Sequence, residues 1–240
     1  MTRPIPEPLQ RALRPITVIC GHYGVGKTNL AVNLAIDSAA EGVPTTLIDL
    51  DIVNPYFRAS EQRALLEMHG IELISPVFAE AGSNLDVPSL TGAIEPKLAD
   101  ATADELVIVD LGGDDVGAGA LGRFSGTVQA RDHAMLYVFN RHRNLVHDPR
   151  EAHGILQEIE AVTRLHATAL VDNSHLKQLT DAAALDDGAG YARTLCDLCG
   201  LELAAKTCPE HLSGDPQVIE AFDDPSLLYT VAMYVKSPWE

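Results

Sequence analysis

A chain of 240 residues is long enough to bury one substantial α/β core or two small ones. Its 34 Asp and Glu against 17 Lys and Arg leave a formal charge of −17, a surface that repels nucleic-acid phosphates and anionic lipid. The nearest approach to a basic run is Arg141-His142-Arg143, so neither nucleic-acid binding nor membrane docking is expected.

The first residues, Met1-Thr-Arg-Pro-Ile-Pro-Glu-Pro, have no apolar signal core and read as a Pro-rich tail over 1–14 ahead of one domain over 15–240. An apolar, β-branched run predicts a strand over 16–20, stopped by Gly21. A helix over 29–40 follows, with Leu30, Leu34 and Ala31, Ala35 at helical spacing, and Gly42 closes it. The next strand, 45–48, leads into Asp49 and Asp51. A helix over 59–69 ends at Gly70, and a strand over 71–74 stops before Pro76. Residues 79–97 carry Gly, Ser, Asn and Pro and read as a loop leading to a short helix. A strand over 106–109 ends at Asp110, and strands over 134–139 and 167–171 flank a helix over 151–165. A helix over 182–201, interrupted by Gly188 and Gly190, precedes strands over 202–207 and 227–235. This alternation predicts an α/β fold, a mostly parallel twisted sheet of about seven or eight strands flanked by helices.

Four cysteines without a secretion signal fit free thiols in a cytoplasmic setting. Cys196-x-x-Cys199 and Cys208-x-x-His211 have the spacing of two metal-ligand pairs, although thiols on a helix more often pack a core. Cys20 is expected in the core, and His142, His147 and His153 in solvent.

The segment Gly21-His22-Tyr23-Gly24-Val25-Gly26-Lys27-Thr28 matches the P-loop pattern, with the required strand before it and helix after it. Its glycines let backbone N–H groups turn inward around phosphate oxygens, and the helix N-terminus adds its positive dipole. Residues Gly21 to Thr28, with Asn29, are therefore expected to hold a nucleoside triphosphate. Lys27 is expected to bridge the β- and γ-phosphates, and the Thr28 hydroxyl to ligate Mg²⁺. Asp110 ends its strand where a second carboxylate holds the metal through water, and Leu111-Gly112-Gly113 can sense the γ-phosphate with an N–H. Asp49 and Asp51, two apart at a strand end, can face both metal and attacking water.

These residues resemble the MinD/ParA/CobQ group of P-loop NTPases, the ATPase class that also includes nitrogenase iron protein and dethiobiotin synthetase. The resemblance spans most of the chain and is specific at Gly21–Asn29, at Leu47-Ile-Asp-Leu-Asp-Ile-Val-Asn-Pro-Tyr-Phe-Arg58 and at Val107-Ile-Val-Asp-Leu-Gly-Gly113. It looks closest to a single-domain branch with Gly-His-Tyr-Gly in the loop. The resemblance implies ATP-driven homodimerisation across the bound nucleotide. It gives Asp51 the attacking water, Asp49 and Asp110 support of Mg²⁺, and Asn173 the adenine. Asn140 is a second candidate for the base, and a turn-forming role competes for Asn173. The chain has no Asn-Lys-x-Asp guanine signature, which favours ATP over GTP.

Many members of the group carry an extra lysine early in the loop that reaches the partner subunit's phosphates. Here that position is His22, only partly charged near neutrality, and Tyr23 follows it. Either dimer-linked activation is weaker, or a cation such as Arg58 or Arg123 supplies the charge. The chain ends Val-Lys-Ser-Pro-Trp-Glu240, without MinD's amphipathic membrane helix. Three functions follow as expectations. The first is an ATPase switch for a partner protein or for metalloenzyme maturation. The second is an ATP-dependent amide-forming synthetase or kinase acting on a small metabolite, for which 79–97, Asp114 and Asp115 are the unassigned polar material. The third is a nucleotide-binding regulator with negligible turnover. Two aspartates in one strand-end segment favour the first.

Overall fold

Strand β1 (Ile16–Cys20) is buried along its whole length, as a near-continuous β-branched run must be when helices cover both faces of a sheet. The structure is a computed structural model that describes residues 3–51, 59–75, 92–113, 115–143, 146–220 and 222–235. Seven further strands join β1: β2 (Thr45–Asp49), β3 (Glu72–Ile74), β4 (Leu106–Asp110), β5 (His133–Phe139), β6 (Ala169–Asp172), β7 (Leu203–Pro209) and β8 (Leu228–Val231). The order is β3-β2-β4-β1-β5-β6-β7-β8, and every pairing is parallel. From β1 the chain first builds the β2 side of the sheet, then returns past β1 to add β5 and its successors. The carboxyl end of β1 is thus the topological switch point, where an open α/β sheet leaves a crevice for a ligand.

The helices are α1 (Glu7–Ala12), α2 (Lys27–Ala40), α3 (Arg63–Met68), α4 (Ile94–Ala99), α5 (Asp115–Gly122), α6 (Ser125–Gln129), α7 (Pro149–Thr163), α8 (Ala182–Cys199) and α9 (Pro216–Glu220). Strand periodicity divides the core between the two faces. Val18, Cys20, Tyr137 and Phe139 pack on one face with Leu156 of α7 and Leu195 of α8. Ile19, Leu136 and Val138 pack on the other with Leu30 and Leu34 of α2 and Leu9 of α1. Helix α7 opens with a reciprocal capping box between Asp148 and Glu151, which satisfies its first N–H groups.

Five elements differ from the sequence expectation. The Pro-rich start carries α1, with Ile5 and Leu9 in the core. Pro8 is in its first turn, where a missing N–H removes no helical bond. Gly188 and Gly190 do not interrupt α8. A Cβ added at Gly188 would stand 3.3 Å from Asp172 Oδ2 and from Ser174 Cβ, so the glycine lets the helix approach the end of β6. Helices α5 and α6 were not expected from their glycine and serine content. Finally, the last strand stops at Val231, and residues 232–235 run along α2 instead. Among the described residues no helix is long and apolar enough to cross a membrane.

Candidate functional site

The loop between β1 and α2 depends on glycine at both ends. At Gly21 (φ 147°) a Cβ would stand 2.2 Å from the Val138 carbonyl oxygen of β5, a contact no side chain tolerates. At Gly26 (φ 95°), the N-cap of α2, it would stand 2.3 Å from Asn173 Nδ2. Helix α2 has neither a side-chain cap nor an acid in its first turn. Its leading N–H groups and its dipole are left to the loop, the arrangement that binds anions. Lys27 is 7% exposed, and its Nζ donates to the His22 carbonyl at 3.1 Å. Burial, and then the charge of Lys27, hold the His22 imidazole below its ordinary pKa, so the ring adds little positive charge at neutral pH.

The acidic residues meet the loop from β2 and β4. Asp49 and Asp110 are register partners on these adjacent strands, and Asp49 Oδ1 accepts the Asp51 N–H at 3.0 Å. Asp51 is buried as well. Asp110 is fully buried and both its carboxylate oxygens lack a hydrogen bond within normal distance. Burial, then the neighbouring Asp49, push its pKa up to about 8; the nearby Thr28 hydroxyl and Lys27 oppose that rise without cancelling it. A buried, unsatisfied carboxylate beside another acid is costly unless a cation arrives. Thr28, Asp110 and Asp49 would therefore suit a Mg²⁺ ion, which would offset the charge of these acids. Among the described residues no three His, Cys, Asp or Glu side chains group to hold a metal by themselves. Gly113 completes the crevice: a Cβ there would stand 2.6 Å from Tyr23 Cα and 2.9 Å from Lys27 Nζ. The segment after β4 thus lies directly against the loop.

Three asparagines face other tasks than a nucleotide in this structure. Asn173 Nδ2 donates to the Val25 carbonyl at 2.6 Å, and its Oδ1 accepts the Thr207 hydroxyl at 2.6 Å. It clamps the phosphate loop to the ends of β6 and β7. Asn140 donates to the His175 carbonyl and accepts the His142 N–H. Asn29 donates to the Ala232 carbonyl at 2.9 Å and accepts N–H groups from Tyr234 and Val235. Sequence reasoning missed its neighbour Asn33, which bonds Ala232 in both directions; the Asn-x-x-x-Asn spacing on one helix face was the available signal.

Of the two arginines considered for an extra charge, Arg58 lies outside the described residues. Arg123 is exposed and follows Gly122, which packs against the Val162 carbonyl of α7. Cys196 and Cys199 pack against the core face shared with α7, whereas Cys208 lies with Leu185, Val218 and Phe222. Leu185 and Cys196 are separated by roughly 16 Å along α8, so the two pairs do not meet around one ion. Cys20 is in the core.

A strand, a glycine loop, a Lys27-Thr28 helix start and converging acids therefore occupy the switch point of an all-parallel sheet. Among solved structures the chain is similar to chloroplast FtsY from Physcomitrella patens, with TM-score 0.54, 14% identity, and coverage of 83% of this chain and 64% of that one. It is also similar to the signal recognition particle 54 kDa protein from Aeropyrum pernix K1 in complex with GDP, with TM-score 0.52, 16% identity, and coverage of 80% and 40%. The fold is that of the P-loop NTPases. Among curated proteins, the chain is similar to an iron-sulfur cluster carrier protein of Deinococcus radiodurans, 32% identical over 130 residues. That match covers 46% of this chain and 37% of the carrier. The chain thus spans less than two thirds of each of these proteins. No protein-family model matches it.

Proposed function

We propose that this P-loop NTPase binds ATP with Mg²⁺ at Gly21–Thr28 and hydrolyses it as a switch for a partner protein. The observation that carries the reading is the buried carboxylate of Asp110 at the phosphate loop, beside Thr28 and Lys27, with neither oxygen satisfied by a hydrogen bond of normal length. In this reading the loop N–H groups hold the phosphates, and Lys27 exchanges the His22 carbonyl for β- and γ-phosphate oxygens. Thr28, Asp49 and Asp110 would hold Mg²⁺, and Asp49 also fixes the Asp51 backbone beside them. The metal, when bound, withdraws charge from the bridging phosphate oxygens. Asp51 orients and polarises the attacking water. Asn29 and Asn173 support the loop from outside, and the lack of a guanine signature favours adenine.

Similarity to a carrier of iron–sulfur clusters supports a place in metal-cluster maturation, and we propose a homodimer that forms on ATP. The experiment is turnover of ATP and GTP with Mg²⁺ or EDTA, with no metabolite added, together with molar mass by light scattering. We expect Mg²⁺-dependent ATP hydrolysis, a larger mass with ATP, and an Asp51→Ala variant that binds ATP but turns over at least ~100-fold more slowly. Preference for GTP would overturn the base assignment. Silence until a small metabolite is added would replace the switch with a synthetase or kinase.

A further inference from the structure

The basic triplet at the end of β5 divides its labour. Arg141 pairs with Asp187 at 2.6 Å and donates to the Asp187 carbonyl at 2.7 Å. The His142 ring contacts the Ala184 carbonyl at 2.9 Å. Both are thereby committed to α8. The exposed Arg143 guanidinium makes no hydrogen bond or ion pair with the described residues. Instead it lies beside the phosphate loop: a Cβ added at Gly24 would stand 4.0 Å from Arg143 Nε.

The base of this arginine is fixed. Its N–H returns to the Asn140 carbonyl at 3.1 Å. The Asn140 side chain, 2% exposed, accepts the His142 N–H at 3.0 Å and donates to the His175 carbonyl at 3.1 Å. The Arg141 N–H donates to Ser174 Oγ at 3.0 Å. Beyond the triplet, the Tyr191 hydroxyl donates to the Val146 carbonyl at 3.0 Å. A backbone held by these hydrogen bonds therefore presents, at the rim of the loop, a long cation with no partner among the described residues. The metal-side acids Asp49 and Asp110 end β2 and β4, on the other side of β1 in the sheet order. Arg143 and the metal-side acids thus stand on opposite flanks of the loop. The loop itself contributes Lys27 as its cation, because His22 stands where a second could have been.

We propose that Arg143 is a second phosphate-binding cation, reaching across Gly24 from the segment after β5 to the oxygens of the bound triphosphate. It supplies from the same chain the positive charge that the loop lacks at His22. A guanidinium suits the task, since its planar fork pairs with two phosphate oxygens at once. The proposal rests on the reading that Gly21–Thr28 binds a triphosphate. It assigns the role to a residue that neither the loop motif nor the resemblance singles out.

The test measures the affinity of Mg²⁺-ATP by calorimetry, at low and high salt, for wild type, Arg143→Ala, Arg143→Lys and Arg123→Ala, with thermal melts to confirm folding. Loss of a charge-assisted contact predicts roughly tenfold or greater weakening in Arg143→Ala and partial recovery with lysine. Wild-type affinity should also fall more steeply with salt than that of Arg143→Ala, because one fewer exposed ionic contact remains to be screened. Arg123→Ala should bind as wild type does. If wild type binds ATP and Arg143→Ala binds equally well, the proposal fails while the triphosphate reading stands. Equal salt slopes would also overturn it, by removing the ionic contact. If wild type binds no triphosphate, both fall together.

Discussion

His175 is 6% exposed, and its Nδ1 accepts the Lys177 N–H at 3.1 Å. The neutral ring must therefore carry its proton on Nε2, which is buried without a hydrogen-bond partner. Burial first, then Arg143, Lys177, His142 and His211, lower its pKa to about 4. The sign follows directly. Between about pH 6.5 and 4 the unfolded chain takes up a proton that the native ring refuses, so the stability contributed by His175 is present above 6.5 and lost as pH falls. A shift of this size is worth up to roughly 3 kcal/mol. Between pH 7 and pH 5 the urea midpoint of wild type should fall relative to that of His175→Asn, which keeps an acceptor for Lys177 but cannot titrate; the raised Asp110 contributes equally to both. Parallel decline in the two would contradict the account. At this scale the sequence revealed residue types but not their partners. Lys27, Thr28 and Asp110 could be placed because the loop pattern carries its own geometry. Asn29 and Asn173 looked available to a nucleotide, yet their amides bond Ala232 and Val25, contacts made across 203 and 148 residues that no local pattern encodes.

At the scale of elements, α2 is held from outside by both ends of the described chain. Arg3 pairs with Asp37 at 3.2 Å, and the Tyr229 hydroxyl donates to Asp37 at 2.8 Å, with all three residues buried. Arg3 also reaches Tyr234, through its hydroxyl at 3.2 Å and its ring. Removing one member of a buried ion pair strands the other charge, which typically costs about 3–5 kcal/mol. Asp37→Ala should lose that much in urea unfolding, and a loss below about 1 kcal/mol would show the network to be incidental. Strands such as β1 and β4 were legible because unbroken β-branched runs have few alternatives in a soluble chain. Helix α1 was not, because Pro4, Pro6 and Pro8 read as breakers until Pro8 is seen at the helix start. Gly188 of α8 misled in the same way, since its close approach to Ser174 is invisible in one dimension, while Gly190 sits in the helix with open space beside it.

Over the whole molecule, the parallel α/β class followed from the alternation of elements, but the sheet order did not. Which strand lies beside β1 is set by the crossovers, and only the assembled sheet brings the Asp110 end of β4 next to the loop that follows β1. Charge behaves likewise: in a chain of net charge −17 the fold sets Arg143 on the opposite side of the phosphate loop from Asp49 and Asp110. The central claim is that this switch-point crevice binds a nucleoside triphosphate. Calorimetric titration of Mg²⁺-ATP into wild type and Lys27→Ala tests it most directly. The account predicts saturable binding to wild type and at least ~100-fold weaker binding to the variant, as the cation at the β- and γ-phosphates is removed. Equal affinity in the two, or no binding to wild type, would contradict it.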